Sequence, residues 1–306
     1  MNSIFSIVAQ HGRFVLILGL VAGVTMPDLA VSMRPWLREL VMLLLAFTAF
    51  RVGLKAVLET LADIKETLLV VLIYQVLFPV GAALFLTAIG LSDTPAAMVI
   101  TLLLAAPSIT GSPSFAIMLG HRPEPNFKIL VIGTLIFPVT IIPVLFFLPA
   151  AGSIREVFGL SIELAATLGI AIAVGFLARE IIISNVTPKE KITLDGISTV
   201  LLAVIVVGLM SAVVPTFNET PSNVIFWLVL AFSVNYGLQF FAYIAFRAFS
   251  VSANNRSVSI IAGNRNVAIF LVASAVSNSD EFLIFLGCYQ LPMYLTPTLM
   301  RWLYKS

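Results

Sequence analysis

The chain has 306 residues, 60% of them hydrophobic and only 10% charged, with a net charge of +2, and its mean hydropathy is +1.08. Soluble domains carry about 25% charged residues, so this composition excludes a soluble protein, and no polar stretch is long enough to form a separate soluble domain. The single cysteine, Cys288, excludes an internal disulfide and a thiolate cluster, and the two histidines, His11 and His121, argue against a histidine metal centre. The small positive net charge belongs to loops and gives no reason to expect nucleic acid.

A bilayer is crossed by about 20 apolar residues. Windows of that kind fall at 14–33, 36–57, 67–89, 95–119 and 127–149, then at 160–178, 193–214, 224–246, 256–278 and 282–303. Ten transmembrane helices are therefore expected. Of the seventeen lysines and arginines, thirteen fall on one side of such a ten-helix layout and three (Arg34, Arg38 and Arg155) on the other, leaving Arg265 inside a span. The positive-inside rule then puts both termini in the cytoplasm and the chain in the cell (cytoplasmic or inner) membrane. The N-terminus runs into a helix without a small-residue cleavage site, so no cleavable signal peptide is expected.

The two halves are similar at an offset near 154 residues. Pro138 and Pro143 in F-P-V-T-I-I-P match Pro292 and Pro297 in L-P-M-Y-L-T-P, and Val52-Gly53-Leu54 matches Val207-Gly208-Leu209. Five helices per half is odd, so residues 1–150 and 151–306 would be repeats of opposite topology. Inverted repeats with interrupted helices at the midplane are typical of secondary transporters. The same offset carries Pro107-Ser108-Ile109-Thr110-Gly111-Ser112-Pro113 onto Ile261-Ala262-Gly263-Asn264-Arg265-Asn266-Val267. The fourth span of each half would thus be broken at equivalent depth. Broken helices survive in a membrane only where protein or a cavity satisfies their freed peptide groups.

Arg265 is the strongest functional signal. An arginine at mid-bilayer costs about 2.5–3.5 kcal/mol on insertion scales and marks a functional site by default. The alternative is a side chain that snorkels or pairs internally to hold helices together. Ser108, Thr110 and Ser112 can meet Asn264, Arg265 and Asn266. Asn235 and Gln239, four residues apart on one helical face, either line a cavity or bond between helices. No serine or threonine near the break has a histidine or acid partner, so no catalytic residues and no enzyme are expected.

These motifs resemble the bile acid/sodium symporter family and its arsenite- and pantoate-carrier relatives, over nearly the whole chain. The resemblance implies an all-α polytopic fold of ten helices in two inverted five-helix repeats, with helices 4 and 9 broken and crossing. It implies core helices at about 67–149 and 224–303 and panel helices at about 14–57 and 160–214. In helix 4 the family carries a Pro-Gly-Gly-Thr-Ala-Ser-Asn type motif, and Pro107, Thr110 and Ser112 match it while Pro113 stands at the asparagine. In helix 9 it carries Glu-x-Gly-x-Gln-Asn; Gly263 and Asn266 match, while Ile261 and Arg265 stand at the glutamate and glutamine. Gln75 near Pro79 and Asn235 look like further family positions. The family binds sodium through that glutamate, that glutamine and the helix-4 Ser-Asn pair, and this chain lacks the carboxylate.

The resemblance therefore implies a secondary transporter working by alternating access. Its substrate would be a small organic anion near the crossover of the broken helices, held by Ser108, Thr110, Ser112, Asn264, Arg265, Asn266, Asn235 and Gln239. Arg265 would replace a bound sodium ion. A modified ion site drawing on Gln75, Ser112, Thr134, Ala262 and Arg265 is the weaker version, in which sodium remains possible. No cofactor is expected, and the partners are a small molecule and the bilayer. A sodium- or proton-coupled carrier of a neutral or amphipathic solute stays open, as does a channel or a non-transporting sensor.

Overall fold

The computed structural model describes residues 4–61, 64–148, 152–183, 186–249, 254–273 and 279–304, with the backbone alone for Arg13 and Leu61. The last residues of the expected span 256–278, from 274 on, and the boundary between the two expected repeats at 150 and 151 lie outside the described residues. All regular elements among the described residues are helical. The helices are α1 Ile4–Gln10, α2 Gly12–Thr25, α3 Pro27–Met33, α4 Leu37–Val52, α5 Leu54–Leu61, α6 Lys65–Leu72 and α7 Phe78–Ala88. They continue as α8 Pro95–Ala105, α9 Ser112–Met118, α10 Glu124–Phe146, α11 Ile154–Ile182 and α12 Pro188–Leu209. The series ends with α13 Val213–Glu219, α14 Pro221–Phe249, α15 Asn255–Ala262, α16 Asp280–Leu299 and α17 Arg301–Tyr304.

Among the described residues six helices are long and apolar enough to cross a membrane, or up to eight if each of two bent pairs counts as one span. This is the architecture of a multi-pass helical membrane protein, and its exposed surface carries side chains such as Ile181, Phe241 and Phe249. The ten continuous windows read from the sequence are not ten continuous helices. The windows 95–119 and 256–278 are interrupted at residues 106–111 and 263–266. The windows 14–33 and 36–57 are also broken, at Met26 before Pro27 and at Gly53. Gly53 adopts φ 77°, a conformation that side-chain-bearing residues avoid, and the chain bends there by 72° between Pro27–Val52 and Leu54–Thr60.

The chain divides into two compact units. The first comprises Met1–Ala56, Ala165–Leu228 and Phe270–Gln290. Within it α12 packs along α1, α2, α3 and α4. Arg51 pairs with Asp195 at 2.8 Å and Arg34 with Asp280 at 2.5 Å. Arg179 donates to the Phe50 carbonyl at 3.1 Å and lies over the Phe50 ring, so these three arginines have partners within the unit. The second unit comprises Val57–Leu164, Val229–Ile269 and Leu291–Ser306. Its apolar core joins Val70, Val71 and Tyr74 to Ile129 and Ile132 of α10, Ala242 and Phe246 of α14, and Val258, Ile261 and Ala262 of α15. That core wraps the tip of α15 and fixes where the interrupted segment after Ala262 must emerge.

Candidate functional site

The site is built within the second unit, where two chain breaks meet. Proline explains the first. The residue before a proline is pushed out of the helical region, and Ala106, preceding Pro107, has φ −59° and ψ 145°. This ends α8 at Ala105. The helix resumes as α9 with Pro113 in its first turn, where a missing N–H costs nothing.

The second break contains no proline, and side chains impose it. Asn264 donates Nδ2 to the Ile260 carbonyl at 2.6 Å, offering the last turn of α15 an end other than continued helix. Asn235 donates to the Gly263 carbonyl. A Cβ on Gly263 would overlap the Asn235 carbonyl and Gln239 Cγ, so only glycine lets the chain pass this close to α14.

The two segments then pair with each other. Ser108 and Arg265 form an isolated antiparallel bridge. Ile109 N–H donates to the Asn264 carbonyl at 3.1 Å, and Asn266 N–H donates to the Pro107 carbonyl at 2.8 Å. Peptide groups freed by one break are thus satisfied by the other.

Arg265 is 2% exposed. Its Nε donates to the Ala262 carbonyl at 3.0 Å and its Nη1 to the Ala106 carbonyl at 3.1 Å. Its guanidinium carbon lies 4.3 Å from the Tyr74 ring centroid. Ala262 is the last residue of α15 and Ala106 is the C-cap of α8. The cation therefore sits at the C-terminal ends of two helices, where orphan carbonyls and the helix dipole present negative charge. Charge-assisted hydrogen bonds contribute about 1.5–3 kcal/mol each and a desolvated cation–π contact about 2 kcal/mol. Together these exceed the about 2.5–3.5 kcal/mol that insertion scales assign to an arginine at the centre of a membrane helix.

Three polar clusters lie in the same unit as the two breaks. Ser108 and Ser112 share a hydrogen bond of 2.7 Å, and Asn126 joins the Ser112 carbonyl to the Ser257 hydroxyl. On α14, Gln239 donates to Asn235 at 2.7 Å and to Thr296 at 3.2 Å, and Thr296 reaches Asn264 at 3.2 Å. Tyr304 donates to Gln239 at 3.0 Å. In the third cluster Gln75 donates to the Gly133 carbonyl at 3.1 Å and accepts from Thr140 at 2.8 Å. Gln75 and Tyr74 are neighbours in a π-helical turn, Ile73–Leu77, and both are buried. Such turns occur as single bulges, often at functional sites.

The structure thus brings Ser108, Ser112, Asn264, Arg265, Asn235 and Gln239 into connected networks. Thr110 and Asn266 are half-buried at the rim of the breaks, Asn266 engaging through its backbone. Of the expected ion-site set Gln75, Ser112, Thr134, Ala262 and Arg265, Gln75 bonds Thr140, Ser112 bonds Ser108, and the Ala262 carbonyl accepts from Arg265. Asn235 and Gln239 are fully buried and bond to groups outside their own helix, the Gly263 carbonyl and the Thr296 hydroxyl.

Sequence reasoning missed Tyr74, Thr140, Thr296, Asn126, Ser257 and Tyr304. A signal existed for the threonines, because each lies inside one of the matched proline pairs, F-P-V-T-I-I-P and L-P-M-Y-L-T-P. No family model matches the chain, and no curated protein is significantly similar to it in sequence.

Proposed function

We propose that the protein is a secondary transporter of a small organic anion, in which Arg265 takes the place of a co-transported cation. One observation carries this reading: the guanidinium bonds the carbonyls of Ala106 and Ala262 at the C-terminal ends of two broken helices. Carbonyl oxygens at converging helix C-termini are the donors that coordinate sodium or protons in carriers with discontinuous helices. Here an N–H donor of a resident cation faces each of them, and Ile261 supplies no carboxylate. The donor set does not fit a sodium ion, and no coupling step runs through one.

The similarity of the two halves of the sequence at an offset near 154 residues, and the resemblance of their motifs to the bile acid/sodium symporter family, support the same reading. So does a recurring pairing. Gln75 with Thr140 in the first half, and Gln239 with Thr296 in the second, each join a helix amide to a threonine inside the proline-bearing helix. A fixed cation at the crossover supports an anionic solute there, with the hydroxyls of Ser108 and Ser112 beside it.

Uptake of radiolabelled organic acids into proteoliposomes, with sodium and with choline in its place, tests the reading. Saturable uptake that is equal in the two media is expected. Uptake that vanishes in choline would overturn the role given to Arg265, and absence of any saturable flux, with ligand binding retained, would mark a sensor.

A further inference from the structure

His121 stands outside the crossover, yet a chain of hydrogen bonds leads from it to the second break. The helix that resumes after the first break, α9, ends in a Schellman motif. Gly120, at φ 82°, donates to the Ile117 carbonyl at 3.0 Å, and His121 N–H donates to the Ala116 carbonyl at 2.8 Å. The left-handed glycine turns the chain back and fixes the imidazole beside α17. There the His121 Nε2 bonds the Tyr304 carbonyl at 3.0 Å, and the two rings meet edge-on with centroids 6.3 Å apart. A carbonyl oxygen only accepts, so the imidazole is the donor.

Tyr304 is 0% exposed and continues the chain from its other end. Its hydroxyl donates to Gln239 Oε1 at 3.0 Å, Gln239 Nε2 donates to Asn235 Oδ1 at 2.7 Å, and Asn235 Nδ2 donates to the Gly263 carbonyl. The Gly263 end sets the direction of every bond. Its carbonyl only accepts, which turns the Asn235 nitrogen toward it and leaves Oδ1 facing Gln239. That oxygen requires the Gln239 nitrogen, which leaves Oε1 facing Tyr304. Only a donor satisfies Oε1 there, and the phenol supplies it. Without the phenol, Oε1 is buried unsatisfied, or both amides turn over and set Asn235 Oδ1 against the Gly263 oxygen.

We propose that Tyr304 is a positioning residue for the second break, and that α17 is a strap which ties the end of α9 to Gly263 through His121. The two broken segments are then joined twice. Ser108 and Arg265 pair directly at the crossover, and the strap connects the far end of α9 to the peptide that enters Asn264 and Arg265. The strap is independent of what the site binds, and its failure would leave the transport reading standing.

Amide hydrogen–deuterium exchange, read by mass spectrometry on the full detergent-purified chain, is the test. Tyr304→Phe should speed exchange in peptides covering 263–266 by about fivefold, the loss of one hydrogen bond, and leave α10 unchanged. Tyr294→Phe removes another tyrosine hydroxyl of the same unit, one buried without a hydrogen-bond partner, and should change nothing at 263–266. His121→Phe should speed exchange there as Tyr304→Phe does, and His121→Gln, which keeps a donor, should restore most of the protection. Faster exchange spread evenly over the second unit in Tyr304→Phe, an equal effect of Tyr294→Phe, or no change at 263–266 would each overturn the proposal. Should Tyr304→Phe not fold, the two His121 variants carry the comparison, and equal exchange at 263–266 in both overturns it.

Discussion

The guanidinium of Arg265 lies over the ring of a buried tyrosine, its carbon 4.3 Å from the Tyr74 ring centroid, while the Tyr74 hydroxyl donates to the Val258 carbonyl at 3.0 Å. Tyr74 thus holds the α15 helix by its hydroxyl and that helix's outgoing arginine by its ring face. Tyr74→Phe should keep the cation–π contact and cost about 1 kcal/mol for the lost hydrogen bond. Tyr74→Leu should cost about 2 kcal/mol more. Thermal or denaturant unfolding in detergent separates the two, and equal losses would refute a role for the ring.

Arg265 itself should tolerate no substitution silently. Arg265→Lys keeps the charge but loses the planar fork that reaches two carbonyls at once. It should destabilise the protein by about 2 kcal/mol, the loss of roughly one charge-assisted hydrogen bond. Arg265→Gln removes the charge and leaves a neutral amide beside two helix ends. If the proposed transport function holds, uptake by this variant should become sodium-dependent, which uptake in sodium against choline reads directly.

Gly263 and Gly237 form a matched pair for testing the close approach of the second break to α14. A methyl group on Gly263 would meet the Asn235 carbonyl, whereas one on Gly237 meets nothing within 4 Å. Gly263→Ala should lower stability by about 1–3 kcal/mol, in the range of overpacking. Gly237→Ala should be neutral or slightly stabilising, because alanine suits a helix interior better. Comparable melting curves for the two variants would contradict the packing described for Gly263.

Thr296 joins α16 to the α14 amides and to Asn264. Thr296→Val keeps the shape and removes the hydroxyl. It should cost about 1–3 kcal/mol, because buried partners lose a hydrogen bond they cannot replace with water. A double-mutant cycle with Gln239→Leu should show a coupling of at least about 0.5 kcal/mol. Strict additivity would place the two residues in separate networks.

Much of this was legible in the sequence, for identifiable reasons. Composition and apolar windows mark a helical membrane protein. Pro107 and Pro113 announce the first break, because proline both removes a donor and constrains its predecessor. Gly263 and the two asparagines announce the second. What Arg265 would bond was not legible. Whether a guanidinium turns to a solute or back onto its own chain depends on where helix ends converge in space, and the partner at Ala106 is 159 residues away. Thr140 was overlooked because its partner Gln75 lies 65 residues away, and a helix with two internal prolines, Pro138 and Pro143, does not present a simple face. Tyr74 and Gln75, adjacent in sequence, would point about 100° apart on a regular helix, and nothing in the local sequence announces the π-helical turn that carries both.

The exchange of peptide groups between the breaks has a consequence for recognition. Ile109 N–H is taken by Asn264, Asn266 N–H by Pro107, and the Ala106 and Ala262 oxygens by the arginine. A visiting molecule there meets these peptide groups already occupied. Selectivity there must come from side-chain shape and hydroxyl placement, which point substitutions can retune without disturbing the scaffold.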